Sequence, residues 1–267
     1  MGLKTYLRKA LNSAVERHGY EVVESRQLYE WQKDPKTQPS RKRSQPPKGA
    51  AEYLRPDNPR LQDLQVRYGA FNNQVTSPLV WTDTAVSPDD ICYFRGDNAY
   101  VWQLRGSGMN MNIMGYVLTA YYVKSIDKFG LLDSLAEDDS FGIVTFRIAD
   151  RVMSRDLLDS IVELYFLERH LGVSLAKDMT ILDIGAGYGR LAHRVTCALP
   201  GIRNYFCTDA VAVSSFISEY YLRFRSVEGR AKVVPLDEIE NTLGNATVNI
   251  AVNIHSFAEC RISAIEW

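Results

Sequence analysis

The pattern of hydrophobic and polar positions along the 267-residue chain divides it into three parts. Residues 1–57 open with apolar residues at helical spacing and continue into a stretch rich in proline, lysine and arginine, which predicts a basic amphipathic helix and a flexible linker. Residues 58–150 predict a mostly helical α+β accessory region. Residues 151–267 alternate short apolar runs with helical patterns, which is typical of an α/β fold.

The accessory region contains one clear helical pattern and several weaker ones. Apolar positions from Leu61 to Tyr68 predict a helix that begins near Asn58. Val80-Trp81 and Ile91–Phe94 predict extended segments on either side of a turn. The apolar stretch from Met109 to Leu132 has a helical character. These elements do not identify a fold for the region.

The third part begins with a helix and continues as repeated strand and helix patterns. Ser154 is a candidate N-cap for the helix, and Gly172 is a candidate for its C-terminal stop. The patterns that follow predict the first four strands of a doubly wound, Rossmann-like parallel sheet. The four predicted strands are Met179–Asp183, Asn204–Thr208, Ala231–Val234 and Thr247–Asn253.

A glycine-rich turn follows the first of these strands. Gly185, Gly187 and Gly189 lie between the strand and a helical stretch, where glycines let the backbone approach a ligand closely. The start of the helix would offer free N–H groups to that ligand. A dinucleotide-binding turn has a further glycine where this chain has Arg190, so the spacing argues against a nicotinamide cofactor.

The pattern D-x-G-x-G-x-G, which begins at Asp183, resembles motif I of class I S-adenosylmethionine-dependent methyltransferases. The resemblance implies that S-adenosylmethionine is the cofactor. It also implies that the loop formed by Gly185, Ala186, Gly187 and Gly189 lies along the methionine part of the cofactor. Asp183 would then help to position the cofactor's amino group, often through a water molecule.

Acidic residues also follow the second and third predicted strands. Asp209 ends the second strand, where a carboxylate can accept hydrogen bonds from both ribose hydroxyls, although it could equally cap the helix expected near Val211. Leu236 and Asp237 follow the third strand, at the position where such enzymes contact adenine. The alternative for Asp237 is a helix N-cap, and the two roles are compatible.

The fourth predicted strand ends next to a histidine and an acid. The carboxyl end of this strand faces the ligand in Rossmann-like sheets, so Asn253 is a further candidate for cofactor binding. Methylation of an alcohol requires a base to remove the hydroxyl proton, and His255 is the candidate. Glu259 is an alternative base or a partner that orients the imidazole. The competing interpretations are a structural histidine and a solvated glutamate.

Four segments together resemble the sugar O-methyltransferase family, and the similarity runs from about Asn58 to the end of the chain. The resemblance implies transfer of a methyl group to a hydroxyl of a glycan or a nucleotide sugar, with residues 58–150 helping to enclose that acceptor. The segments are Phe141-Gly142, Ser154–Ile161, Leu182–Arg190 and Val252–Phe257.

One departure from that resemblance leaves other functions open. A complete class I domain has seven strands, whereas this sequence provides four, so we expect a domain that is truncated at its C-terminus. A non-catalytic remnant or interaction module is therefore an alternative to an active enzyme. A methyltransferase that acts on another small molecule, a lipid or a protein is a further alternative.

Composition and charge narrow the context of the protein. The four cysteines are widely separated, which argues against a disulfide framework or a zinc site, and we see no carboxylate cluster that requires another metal. Reduced thiols and the lack of a signal peptide or a membrane-spanning segment favour a cytoplasmic protein.

Residues 1–60 carry 13 basic and 7 acidic residues, although the whole chain has a net charge of −1. The expected place of the basic helix is on the body of the protein, and weak binding to an anionic membrane is the alternative. The basic run at residues 41–43 favours a solvated linker over a nucleic-acid site. The sequence does not indicate an oligomeric state.

Overall fold

The computed structural model describes residues 44–71, 73–76, 91–96, 111–148, 151–244 and 246–267. The predicted basic helix, most of the predicted linker and the predicted segment Val80-Trp81 lie outside the described residues. No helix among the described residues is long and apolar enough to cross a bilayer.

Among the described residues, five helices precede the first strand, which begins at Thr145. They are α1 (Ala50–Tyr53), α2 (Pro59–Ala70), α3 (Asn73–Thr76), α4 (Met111–Ile126) and α5 (Leu131–Ser134).

Helix α2 confirms the helix that was predicted to begin near Asn58. The Asn58 side chain accepts a hydrogen bond from the Arg60 backbone N–H at 2.8 Å, which caps the first turn. Leu61, Leu64 and Tyr68 are buried on one face of the helix. Val66 follows the same sequence pattern, but its side chain is 73% exposed because it lies on the opposite face.

The prediction of an extended segment at Ile91–Phe94 is wrong. These residues form a turn, in which the Gly96 N–H donates to the Tyr93 carbonyl at 2.7 Å. Phe94 and Arg95 are both fully buried there. An alternating strand would direct these neighbouring side chains to opposite faces, and the turn instead lets both enter the interior.

A small antiparallel sheet precedes the helix that leads into the glycine motif. Strands β1 (Thr145–Ile148) and β2 (Arg151–Ser154) pair with each other, and the sequence analysis did not predict them. Helix α6 (Arg155–Leu171) follows directly. The predicted cap and stop are confirmed, since the Ser154 hydroxyl accepts from the Leu157 N–H at 3.0 Å and Gly172 ends the helix in the left-handed conformation.

The main sheet consists of β3 (Met179–Ile184), β4 (Ile202–Thr208), β5 (Ala231–Val233) and β6 (Ile250–Val252). These four strands are parallel and lie in the order β5-β4-β3-β6. The order reverses at β3, which has β4 on one side and β6 on the other, as the predicted doubly wound, Rossmann-like fold requires. The α/β fold class is therefore confirmed. The helices that follow the four strands are α7 (Arg190–Ala198), α8 (Ala212–Phe224), α9 (Ile239–Leu243) and α10 (Ile262–Glu266).

The fourth strand of this sheet is shorter than predicted. The sequence pattern covers Thr247–Asn253, whereas only Ile250–Val252 pair with β3. At this end, the Asn249 N–H donates to the Thr180 carbonyl at 3.0 Å, and the Asn249 side chain accepts from the Thr180 backbone N–H at 2.8 Å. A side-chain acceptor thus takes the place of the next backbone acceptor, and regular pairing begins only at Ile250.

The buried apolar side chains form two clusters. The first lies between α4, α6, α7 and the sheet, and it includes Val117, Ile161 and Ile181. The second joins α2, the turn at residues 91–96 and α8. The second cluster also contains Tyr188 of the glycine-rich loop, so the segments that precede the sheet pack directly against the elements that carry the candidate site.

Candidate functional site

The loops at the carboxyl ends of the parallel strands meet at one edge of the sheet. The glycine loop, residues 185–189, follows β3, and Asp209 follows β4. The loop at residues 234–238 follows β5, and residues 253–259 follow β6. Ligands of open α/β sheets bind at this edge, where the strand order reverses. The topology therefore places all the sequence-predicted site residues along one edge.

The glycine loop is tied to the end of β4 by backbone donors. The N–H groups of Gly185 and Ala186 both donate to the Thr208 carbonyl, at 2.8 and 3.1 Å. The Gly187 N–H donates to Oδ2 of Asp209 at 3.0 Å. The loop and the predicted ribose-binding carboxylate therefore form one hydrogen-bonded unit.

Three glycines of the loop meet different surroundings. A Cβ atom on Gly185 would lie 2.1 Å from Oγ of Ser256, and one on Gly189 would lie 2.8 Å from Oγ of Ser218. Both positions need glycine because other parts of the chain pack against them. No described atom lies within 4 Å of the corresponding position at Gly187, so this part of the loop is open to a ligand.

Asp209 keeps hydrogen-bonding capacity for a ligand. Oδ1 accepts from the Val211 N–H at 2.8 Å, in an Asx turn that precedes α8, and Oδ2 accepts from Gly187. The Ser214 hydroxyl is a further hydrogen-bond donor to this carboxylate. A carboxylate has about four acceptor positions, so at least one remains for a ligand. Burial raises the pKa of Asp209 to about 6, against the effect of these three donors, and the charge of Glu259 contributes to the rise.

Asp183 lies beneath the glycine loop rather than on its surface. Its side chain is buried, with 3% exposure, and Oδ2 accepts a hydrogen bond from the Tyr205 hydroxyl at 2.8 Å. Burial raises the pKa of Asp183 to about 7, and the charge of Arg190 opposes this rise. Asp183 is thus held against β4 by Tyr205, in the interior next to the glycine loop.

Arg190 explains why the sequence departs from the dinucleotide pattern. Its guanidinium donates to both carboxylate oxygens of Glu163 at 2.8 Å and to the Ser160 hydroxyl at 2.9 Å. Both partners lie on α6. A glycine at this position would lose the bidentate pair that holds the start of α7 against α6.

The loop after β5 is held by α2. Arg67 donates to both oxygens of Asp237 at 2.7 Å and to Glu238 at 2.5 Å, and its hydrogen bond lowers the pKa of Asp237. Tyr68 accepts from the backbone N–H of the buried Leu236 at 3.3 Å. The alternative role of Asp237 as an N-cap is not observed, because Glu238 precedes α9 and makes no side-chain capping bond.

The segment after β6 connects the ends of two strands. Asn253 donates to the Ile184 carbonyl at 2.6 Å and accepts from the Phe257 N–H at 3.2 Å. The Ser256 hydroxyl donates to the same carbonyl at 3.0 Å. His255 is exposed, with a positive φ of 68°, at the start of the 3-10 turn Ser256–Glu259. The imidazole is therefore open to solvent at this edge.

Three acidic side chains influence one another at the candidate site. The charge of Asp209 contributes to the raised pKa of Asp183, as that of Glu259 does for Asp209. The three carboxylates therefore lie close enough to affect one another's ionisation. No group of side chains suited to a metal ion occurs among the described residues.

Sequence reasoning missed Arg67 and Ser256 as parts of this edge. Arg67 donates hydrogen bonds to Asp237, which lies 170 residues further along the chain. The Ser256 hydroxyl donates to the Ile184 carbonyl, which lies 72 residues earlier. Neither residue belongs to a local motif. Only the paired acids at positions 237 and 238 gave a sign that a cation would approach this loop.

A scan against protein-family models finds no match, and a search of curated proteins finds none either. Among solved structures, the chain resembles part of protein arginine methyltransferase 10 from Arabidopsis thaliana, with 16% identity and a TM-score of 0.28 over 38% of this chain and 28% of that one. It also resembles part of the YcgJ protein from Bacillus subtilis, with 18% identity and a TM-score of 0.26 over 35% of this chain and 38% of that one.

The chain thus spans well under half the length of both solved structures. One of the two is a methyltransferase by name. The assignment of the Rossmann-like α/β fold to this chain rests on its own strand order and loop placement.

Proposed function

We propose that this chain binds S-adenosylmethionine at the carboxyl edge of its sheet and transfers the methyl group to a sugar hydroxyl. The observation that carries the proposal is the position of Asp209. Its carboxylate is bonded to the Gly187 N–H of the glycine loop, and it retains at least one acceptor position for a ribose hydroxyl.

The other candidate residues differ in what they offer to this cofactor. Gly187 provides open space on the loop surface, whereas the Leu236 side chain is buried in the second apolar cluster and is not exposed to an adenine ring. Bound S-adenosylmethionine supplies an electrophilic methyl group on a positively charged sulfur.

His255 is the candidate general base for the acceptor. Its exposed side chain lies at the end of β6, beside the strand-order reversal, where an acceptor hydroxyl can approach. Glu259 lies at the other end of the same turn, on the side of Asp209. The choice of a glycan or nucleotide sugar as acceptor rests on the resemblance of the four sequence segments to sugar O-methyltransferases.

A cofactor-binding protein without transferase activity is the second candidate function. Ser256 lies against Gly185 at the place where a side chain would otherwise stand, and Asn253 holds the same segment on Ile184. This packing covers part of the glycine loop from the acceptor side. A chain that binds the cofactor but transfers no methyl group would favour this candidate.

Cofactor binding is tested by calorimetry with S-adenosylhomocysteine. We expect Asp209→Ala to weaken binding about tenfold or more, because a hydrogen bond to a charged group contributes about 1.5–3 kcal/mol. Affinity of the unmutated protein should also fall below about pH 6, as Asp209 becomes protonated. Asp178→Ala, at the opposite edge of the sheet, is the matched control and should bind normally.

Methyl transfer is tested with a radiolabelled methyl donor and nucleotide-sugar or glycan fractions. His255→Ala should lower turnover about 10²–10⁴-fold if the imidazole is the base, while leaving S-adenosylhomocysteine affinity unchanged. Absence of binding by the folded protein would exclude the cofactor. Label that enters only protein would refute the sugar acceptor.

A further inference from the structure

A buried charge network lies next to the candidate site and includes residues from both sides of the sheet domain. The fully buried Arg95 donates to Glu137 and Asp138, both at 2.7 Å, and to Asp156 at 3.4 Å. Glu137 also accepts from Arg194 at 3.0 Å. The turn at residues 91–96 thereby contacts the first turn of α6 through Asp156.

The glycine loop is attached to this network by one side chain. Tyr188 lies between Gly187 and Gly189, it is buried, and its hydroxyl donates to Oδ2 of Asp156. Its ring also packs against Phe94, with ring centres 5.1 Å apart. The short segment that contains Phe94 and Arg95 therefore holds both the ring and the hydrogen-bond partner of Tyr188.

We propose that Arg95 and Tyr188 are positioning residues for the glycine loop, acting through Asp156. Tyr188 fixes the loop from one side, while the adjacent Gly187 N–H bonds Asp209 on the other side. Because these residues are neighbours in sequence, a displacement of Tyr188 moves the Gly187 N–H away from Asp209. Through this connection, the turn at residues 91–96 sets the shape of the loop.

The link to ligand binding rests on the proposed function, since the loop is the proposed cofactor cradle. A hydroxyl held in a buried, charge-assisted hydrogen bond is a rigid attachment point. Preformed loops bind ligands more tightly, because less conformational entropy is lost on binding. Arg95 and Tyr188 touch no ligand in this arrangement, and their effect is on loop geometry.

The test compares Tyr188→Phe with Tyr221→Phe. Tyr221 is a buried neighbour whose ring centre lies 5.2 Å from that of Tyr188, but its hydroxyl faces Nδ1 of His193 instead of the loop network. Each substitution removes one hydroxyl and keeps the ring. We expect Tyr188→Phe to weaken S-adenosylhomocysteine binding about tenfold, and Tyr221→Phe to leave it unchanged.

Hydrogen exchange of the Gly187 amide in the ligand-free protein gives a second readout. We expect faster exchange in Tyr188→Phe and in Arg95→Lys, and an unchanged rate in Tyr221→Phe, because only the first two loosen the attachment of the loop. If Arg95→Lys does not fold, Tyr188→Phe alone carries the test.

The proposal is overturned if Tyr188→Phe changes neither readout, or if Tyr221→Phe changes both equally. If the unmutated protein binds no S-adenosylhomocysteine, the proposed function fails. The exchange rates then still decide whether Arg95 and Tyr188 position the loop.

Discussion

Carboxylates that are buried or partly buried occur in two neighbouring regions of this molecule, and their pKa values shift in opposite directions. In the network around Arg95, burial opposes ionisation of Glu137 and Asp138, but the nearby arginines outweigh it and hold both pKa values below their usual range. At the glycine loop, burial raises the pKa of Asp183 to about 7 and that of Asp209 to about 6.

The difference comes from the hydrogen-bond donors. The first group is bonded to guanidinium cations, whereas Asp183 is bonded to a tyrosine hydroxyl and Asp209 to backbone N–H groups. A cation compensates the loss of solvation of a carboxylate far better than a neutral donor does. The first group therefore already has its counter-ions, while the second is bonded only to neutral donors.

Removing a cation from the network should have the largest effect. We expect Arg95→Gln to lower the free energy of unfolding by about 3–5 kcal/mol, because it leaves buried carboxylates without their partner. Urea unfolding measures the change. Arg203→Gln, which removes an exposed ion pair with Asp178, is the control and should have little effect. An equal loss of unfolding free energy in the two variants would show that the buried ion pairs of Arg95 contribute no more than the exposed pair of Arg203.

Neutralising Asp183 should change the pH dependence of stability. Its pKa is higher in the folded than in the unfolded protein, so the folded state binds more protons between about pH 4 and pH 7. This contribution to stability is present at low pH and is lost as the pH rises through about 7. Asp183→Asn should therefore gain stability relative to the unmutated protein as the pH rises, by up to about 1.4 kcal/mol per pH unit.

The measurement is urea unfolding of both proteins from about pH 5 to pH 8. Taking the difference between them removes the contributions of other titrating groups, including His193, whose pKa burial lowers to about 3. A difference that does not vary with pH would show that Asp183 is ionised normally in the folded protein.

The partly exposed pair of Arg67 and Asp237 should give the smallest effect on stability. Both side chains retain solvent contact, with 23% and 30% exposure. We expect Arg67→Ala to lower the free energy of unfolding by less than about 1 kcal/mol, because solvent-exposed ion pairs generally contribute no more than this. Urea unfolding of Arg67→Ala and Arg95→Gln under the same conditions checks which substitution destabilises the protein more. A loss as large as that of Arg95→Gln would show that partial exposure does not weaken this pair.

Local patterns predicted the elements whose residues interact with near neighbours in sequence. Helix α6 begins at its Ser154 cap and ends at Gly172, and α2 begins at Asn58, because capping groups act within a few residues. The glycine spacing and the apolar strand runs likewise predicted the turn and the parallel sheet. Short range is the common feature of these successes.

Predictions failed or stopped where distant residues decide the conformation. Ile91–Phe94 has the composition of a strand, yet it forms a turn because Phe94 and Arg95 find partners on other elements. The last predicted strand is shortened, because pairing depends on the neighbour that β3 offers. The preference of a short segment for the strand conformation is weak compared with the effect of tertiary packing.

The sequence by itself determined the succession of strands and helices in the main sheet, the glycine turn, and the acids at the ends of its first three strands, because these depend on local periodicity and spacing. Tertiary structure alone decided which of the acids have cationic partners. Arg95 pairs with carboxylates more than 40 residues away in sequence, and Arg67 pairs with one that is 170 residues away. Separation along the chain bears no relation to the distance between these side chains in the fold. The electrostatic state of the candidate site therefore follows from packing, while its residues follow from the motif.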